Sequence, residues 1–149
     1  MSQKTIRAAL EGRLKTWADS QSPAIPVAWQ NVSYTPVANT KYIRAYLLPA
    51  ETFDGAVTGD YKLYAGIFQL SIYSPEGTGT GAVETIAEAI IAQFAQNTAI
   101  SKSGLTVFID RTPSMGPSMN DEGWHVLPVS IRYRVDKTCL LYTSPSPRD

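Results

Sequence analysis

Hydrophobic residues recur along this chain with two different periods. Between Ser2 and Ala18, the residues Ile6, Leu10, Leu14 and Trp17 fall three or four apart, among Lys4, Arg7, Arg13 and Lys15. That spacing predicts an amphipathic helix with Ser2 as its N-cap. Pro23 and Pro26 end it, and "VAWQNVSY" then reads as a short edge strand. In "KYIRAYLL" the period drops to two, with Ile43, Ala45 and Leu47 on one face and Tyr42, Arg44 and Tyr46 on the other. This is the pattern of a half-buried strand, which Pro49 stops.

The polar stretch "AETFDGAVTGDYK" predicts an extended hairpin loop, and the chain returns through "LYAGIFQLSIY", where Phe68, Leu70 and Ile72 share a face. A loop carrying Gly77, Gly79 and Gly81 comes next. Val83, Ile86, Ile90 and Phe94 then stripe a second helix, widened by Ala87 and Ile91. "LTVFID" predicts a short strand. "WHVLPVSIRYRV" predicts a long one, with Leu127, Val129, Ile131, Tyr133 and Val135 inward and Ser130, Arg132 and Arg134 outward. The order is helix, short strand, two long strands, helix, two strands. It predicts an α+β fold: a mainly antiparallel or mixed sheet with two helices on one face and a long hairpin loop. The other face is expected to be partly polar, built from Tyr42, Arg44, Tyr46, Gln69, Ser71, Arg132 and Arg134.

Composition narrows the class. At 149 residues with 44% hydrophobic and 17% charged positions, the chain suits one globular domain burying about two-thirds of its unfolded surface. Thirteen cations against thirteen anions remove the electrostatic drive for general nucleic-acid binding. No apolar run reaches the length of a bilayer span, and "MSQKTIRAALEGRL" lacks the apolar core of a secretory leader. The single cysteine, Cys139, leaves no disulfide framework and no paired-cysteine zinc site. It opens "CLLYTSPSPRD", which resembles over its whole length the translation of a transposase adapter used in preparing sequencing libraries. The expected domain is therefore 3–138, with 139–149 a non-native tail.

No constellation for chemistry emerges. The strand–glycine loop–helix outline of "SIYSPEGTGTGAVETIAEAIIAQF" suggests a phosphate cradle, but Gly81 is followed by Ala82 and Val83, without the lysine and hydroxyl a P-loop requires. Glu76 and Glu84 flank the loop and oppose an anion. His125 is the lone histidine and has no nucleophile placed beside it by any motif. Asp121 and Glu122 are adjacent rather than alternating, which suits a solvated turn better than a calcium loop. Asn31-Val32-Ser33 matches a glycosylation acceptor by chance. No catalytic, cofactor or metal site is expected, and the chain is read as a non-enzyme.

Charge is segregated locally. Cations gather from Lys4 to Lys15 and at Arg132, Arg134 and Lys137; anions gather at Glu51, Asp54 and Asp60, at Glu76, Glu84 and Glu88, and at Asp121 with Glu122. Opposite patches on one subunit suit a head-to-tail contact that closes into a ring, although such clusters are more often plain solvated faces. Met115 and Met119 in "RTPSMGPSMNDEG" offer adaptable contact surface or gap-filling against the sheet.

Taken together, "AWQNVSYTP", "YIRAYLLPAE", "GIFQLSIYSPEGTGTGAVETIAEAI" and "RTPSMGPSMNDEGWHVLPVSIRYR" resemble one bacteriophage family over about Thr5 to Asp136. It is the tail terminator (tail completion) family of long-tailed phages, in a phage-related branch of formerly unassigned function. The resemblance implies a subunit of a homohexameric ring that caps the tail tube, stops its elongation and presents a surface for head joining. Its implied partners are further copies of itself, the tail tube protein and a head–tail connector, with DNA passing through the ring, no specific nucleic-acid recognition, no membrane and no cofactor. It implies a place in the virion tail, with assembly in the host cytoplasm. Through the long hairpin loop and sheet rim it makes Phe53, Asp54, Asp60, Arg111, Met115 and Met119 the candidate assembly contacts. Two alternatives stand beside it: another neck or minor tail protein, and a small nucleotide-binding enzyme built on the Gly77–Gly81 loop.

Overall fold

The computed structural model describes residues 3–22, 24–50, 53–54, 61–77 and 79–138, so Ser2, Asp60 and the segment 139–149 fall outside the described residues. Two helices, α1 (Gln3–Asp19) and α2 (Gly81–Gln93), accompany nine strands. These are β1 (Val27–Ala28), β2 (Tyr42–Pro49), β3 (Phe53–Asp54), β4 (Tyr61–Pro75), β5 (Ala99–Lys102), β6 (Leu105–Ile109), β7 (Ser114–Met115), β8 (Met119–Asp121) and β9 (Trp124–Thr138). They form one sheet in the order β1-β2-β4-β9-β6-β5, with β3 on β4 and both β7 and β8 on β9. Every pairing is antiparallel except β1 with β2. The fold is α+β, as the periodicity predicts.

The spine is the β4–β9 pair, in register from Tyr61↔Thr138 to Pro75↔Trp124. Alternation along β2, β4 and β9 sends Ile43, Ala45, Leu47, Phe68, Leu70, Ile72, Val129 and Ile131 to one side, where each is essentially sealed from solvent. Ile6, Leu10 and Leu14 of α1 and Val83, Ala87 and Ile90 of α2 complete that core. A fully buried side chain of this size stabilises the fold by about 1.5–3 kcal/mol. α2 lies against the β4–β9 spine, whereas α1 touches β2 on one flank and β5 and β6 on the other.

Two polar contacts set α1. The Arg13 Nε–H donates to the Gln93 carbonyl at 2.7 Å, satisfying an orphan group at the C-terminal end of α2, and its guanidinium lies 5.9 Å from the Phe94 ring centroid. Gln30 Oε1 accepts from Arg7 Nη1 at 2.8 Å and from the Leu47 backbone N–H at 2.9 Å. It thereby covers a β2 edge group beyond the reach of the two-residue β1.

Three local features differ from the pattern-based expectation. "VAWQNVSY" contributes only two strand residues, and they run parallel to β2. Pro49 is the last residue of β2, paired with Gly66, and ends the strand as expected. β5 and β8 are strands where no alternation was evident. Each is joined to the next strand by a two-residue turn, Ser103-Gly104 and Glu122-Gly123, with positive φ at both positions. Such turns match the twist of a hairpin, so the X-Gly dipeptides carried the signal.

Candidate functional site

The side of the sheet away from the helices is open, and cross-strand rows define it. Leu48, Ile67 and Arg132 form one row, Tyr46, Gln69, Ser130 and Ser114 the next. Within the second row, Ser130 Oγ donates to Gln69 Oε1 at 2.8 Å. Leu48 is 49% and Tyr46 36% exposed, so apolar surface alternates with polar groups here. The outward residues expected from the sequence all lie on this side.

One of them is not solvated. Tyr42 is 2% exposed, because its ring stacks on Tyr73 at 4.6 Å, meets Tyr34 at 5.1 Å and receives the edge of Trp124 at 5.1 Å. The Arg44 guanidinium lies over the rings of both Tyr42 and Tyr73. Burial pushes the Tyr34 and Tyr73 phenols above their ordinary range, and charge repulsion from the neighbouring Tyr42 phenol adds to the effect in both. This aromatic cluster is a second, smaller core on the open face. It anchors the 29–40 connection. Strand alternation alone placed Tyr42 and Arg44 on a polar face, because the rings that cover Tyr42 come from other segments, Tyr73 and Trp124 from far along the chain, and are invisible to a local pattern.

The glycine loop joins the same end of the sheet. Glu76 N–H donates to the Gly123 carbonyl at 2.9 Å, tying the loop to the β8–β9 turn. Gly77 and Gly79 have φ of 90° and 84°, a region costly for any residue with a Cβ. Backbone geometry therefore accounts for these glycines, and Glu84 occupies the first turn of α2, where its charge complements the helix dipole. His125 Nδ1 lies 3.1 Å from Asn120 Oδ1 in the neighbouring strand, an arrangement that serves the hairpin.

Charge is distributed unevenly once pairing is considered. On α1, Arg7 pairs with Glu11 at 3.3 Å and Lys15 with Asp19 at 2.7 Å, while Arg13 is engaged with α2. The basic stretch of the sequence is largely neutralised by its own neighbours. By contrast Glu76, Glu84, Glu88, Asp121 and Glu122 are exposed and make no ion pair among the described residues.

The candidate contacts fall into two groups rather than one site. Phe53 and Asp54 form β3, opposite Leu63 and Lys62, where β4 and β9 continue past the end of β2. Arg111 follows β6 at the same end, its side chain 69% exposed and its Nε 3.8 Å from Asp110 Oδ2. Met115 and Met119 lie instead on β7 and β8 along the flank of β9, 44% and 57% exposed, so they are surface residues and do not fill gaps. Asp60 lies outside the described residues.

Comparison with known proteins supports the tail-protein reading. The profile of a family described as phage tail terminator protein matches residues 5–133. The chain belongs to the phage tail terminator family. That family is structural, and its members are components of the virion tail. Among solved structures, one chain is 38% identical to this terminator-family protein, covering 96% of it and 99% of its own length, with a TM-score of 0.79. No curated protein matches the chain. The family match covers α1 from Thr5 onward, both exposed methionines, Arg111 and β9 as far as Tyr133.

Proposed function

We propose that this protein is the subunit of a homohexameric ring that caps the phage tail tube, ends its elongation and offers a surface for head joining. The observation that carries the reading is the family match over residues 5–133, nearly the whole of the described fold. The exposed apolar residues Tyr46, Leu48, Met115 and Met119 on the open face and flank support it, since such groups gain by being covered. The mechanism is occlusion. A ring seated on the tube buries the surface to which the next tube subunit would add, and many modest contacts sum to a firm attachment. The partners are other copies, the tube protein and a head–tail connector; assembly takes place in the host cytoplasm, and DNA passes through the ring. Electron microscopy of tube protein polymerising with and without this protein tests the reading. Shortened tubes bearing a terminal ring are expected; tubes that grow to equal length with bare ends refute it.

A further inference from the structure

The two ends of the sheet differ in charge, one carrying exposed carboxylates and the other exposed guanidiniums. At one end the β8–β9 hairpin turns through Glu122-Gly123; Glu122 and the preceding Asp121 are exposed and make no ion pair among the described residues, and Met119 is 57% exposed on the same strand. At the other end a depression of about 330 Å³ opens between the end of β2 and the residues after β6. Gly66 lies in it without a side chain, Leu48 forms an apolar wall, and Arg111 and Arg132 line it together with Asp110, whose one carboxylate lies beside Arg111 and Arg134. Arg132 is exposed and has no ion pair among the described residues, and Arg111 only a long contact to Asp110 at 3.8 Å. Knob and notch are separated by the nine strand steps from Trp124 to Tyr133, about 30 Å. One subunit therefore cannot join them, but two can.

We infer that the β8–β9 turn of one copy seats in the Arg111–Arg132 notch of the next, with Met119 against Leu48 and the carboxylates of Asp121 and Glu122 on the two guanidiniums. Apolar contact at the centre with opposite charges around it is how specific protein contacts are built. The contact joins unlike surfaces, so its repetition builds a ring when the rotation between neighbours closes, as the proposed function requires. This inference rests on the ring reading above and names the surface that makes it.

A charge exchange tests it. Variants Arg132→Glu, Glu122→Arg and the double exchange are compared with the unaltered protein by sedimentation velocity, alone and with tail tubes, and each is checked for an unchanged melting curve. Both positions are exposed, so folding is expected to be preserved. Each single reversal is expected to weaken self-association or tube capping about tenfold or more, and the double exchange to restore it to within about threefold. Single variants that assemble like the unaltered protein, or a double exchange that fails to rescue, overturn the contact while leaving the ring intact. An unaltered protein that forms no ring and caps no tube overturns the functional reading and this inference together.

Discussion

Gly66 sits where three strands meet, opposite Pro49 on one side and Tyr133 on the other. A Cβ placed there would lie 2.6 Å from the Leu48 carbonyl oxygen, 2.6 Å from Tyr133 Oη and 2.9 Å from Pro49 Cα. Two of these atoms are backbone, so a rotamer change cannot relieve the clash, and β2 or the Tyr133 ring must shift within a close-packed sheet. Overpacking of this kind costs about 1–3 kcal/mol. Against it stands a gain of about 0.5–1 kcal/mol from the reduced freedom of the unfolded chain when glycine becomes alanine. Backbone contacts place the cost in the upper part of its range, so Gly66→Ala is expected to destabilise by about 2 kcal/mol and lower Tm by about 4–8 °C. The reverse sign is expected at Gly12, which lies exposed within α1 and where an added Cβ meets nothing within 4 Å. Gly12→Ala should raise stability by about 1 kcal/mol through helix propensity alone. Urea unfolding and thermal melts of the two variants, followed by circular dichroism, read both values. If Gly66→Ala melts at or above the unaltered protein, or if the two substitutions move Tm in the same direction, the packing argument fails.

Three further outcomes follow from named contacts. Arg13→Ala removes both the bond to the Gln93 carbonyl and the contact with Phe94, and should cost about 1–2 kcal/mol in a denaturant melt, with Arg13→Lys recovering part of it. Gln30→Ala leaves the Leu47 N–H without its acceptor, so the Leu47 amide should exchange with deuterium markedly faster, at a stability cost of about 1–2 kcal/mol; unchanged exchange would show that water replaces the side chain. The Tyr34 and Tyr73 phenols titrate higher in the folded state than in the unfolded chain, so the unfolded state loses its protons first. Their contribution is whole below about pH 10 and is lost as pH rises through the folded values. Melting temperature should therefore decline above about pH 10, less steeply in Tyr34→Phe, whose hydroxyl is buried without a partner among the described residues; an equal decline in both proteins would refute the assignment.

Periodicity alone determined α1, β2, β4, α2, β6 and β9 and the residues each would bury, because burial on one side of a helix or strand imposes a spacing of 3.6 or 2 on the sequence. It also determined that Ser130, Arg132 and Arg134 face away from the helices. The family resemblance was legible in short stretches spread from Ala28 to Arg134, and the profile match bears it out. Other properties depend on positions far apart in the chain. Tyr42 is buried because Tyr34, Tyr73 and Trp124 converge on it. The basic stretch of α1 lost its standing as a contact surface because Glu11, Asp19 and Gln93 meet its charges at close range. β7 is a strand only because β9 lies beside it, as two residues carry no period of their own. The candidate contacts came from the long hairpin loop and the sheet rim, and tertiary packing places Phe53 and Asp54 beside the end of β4 and the two methionines on the flank of β9. A local pattern records which side of an element is apolar; only the register of β4 against β9 decides which distant side chains share a surface.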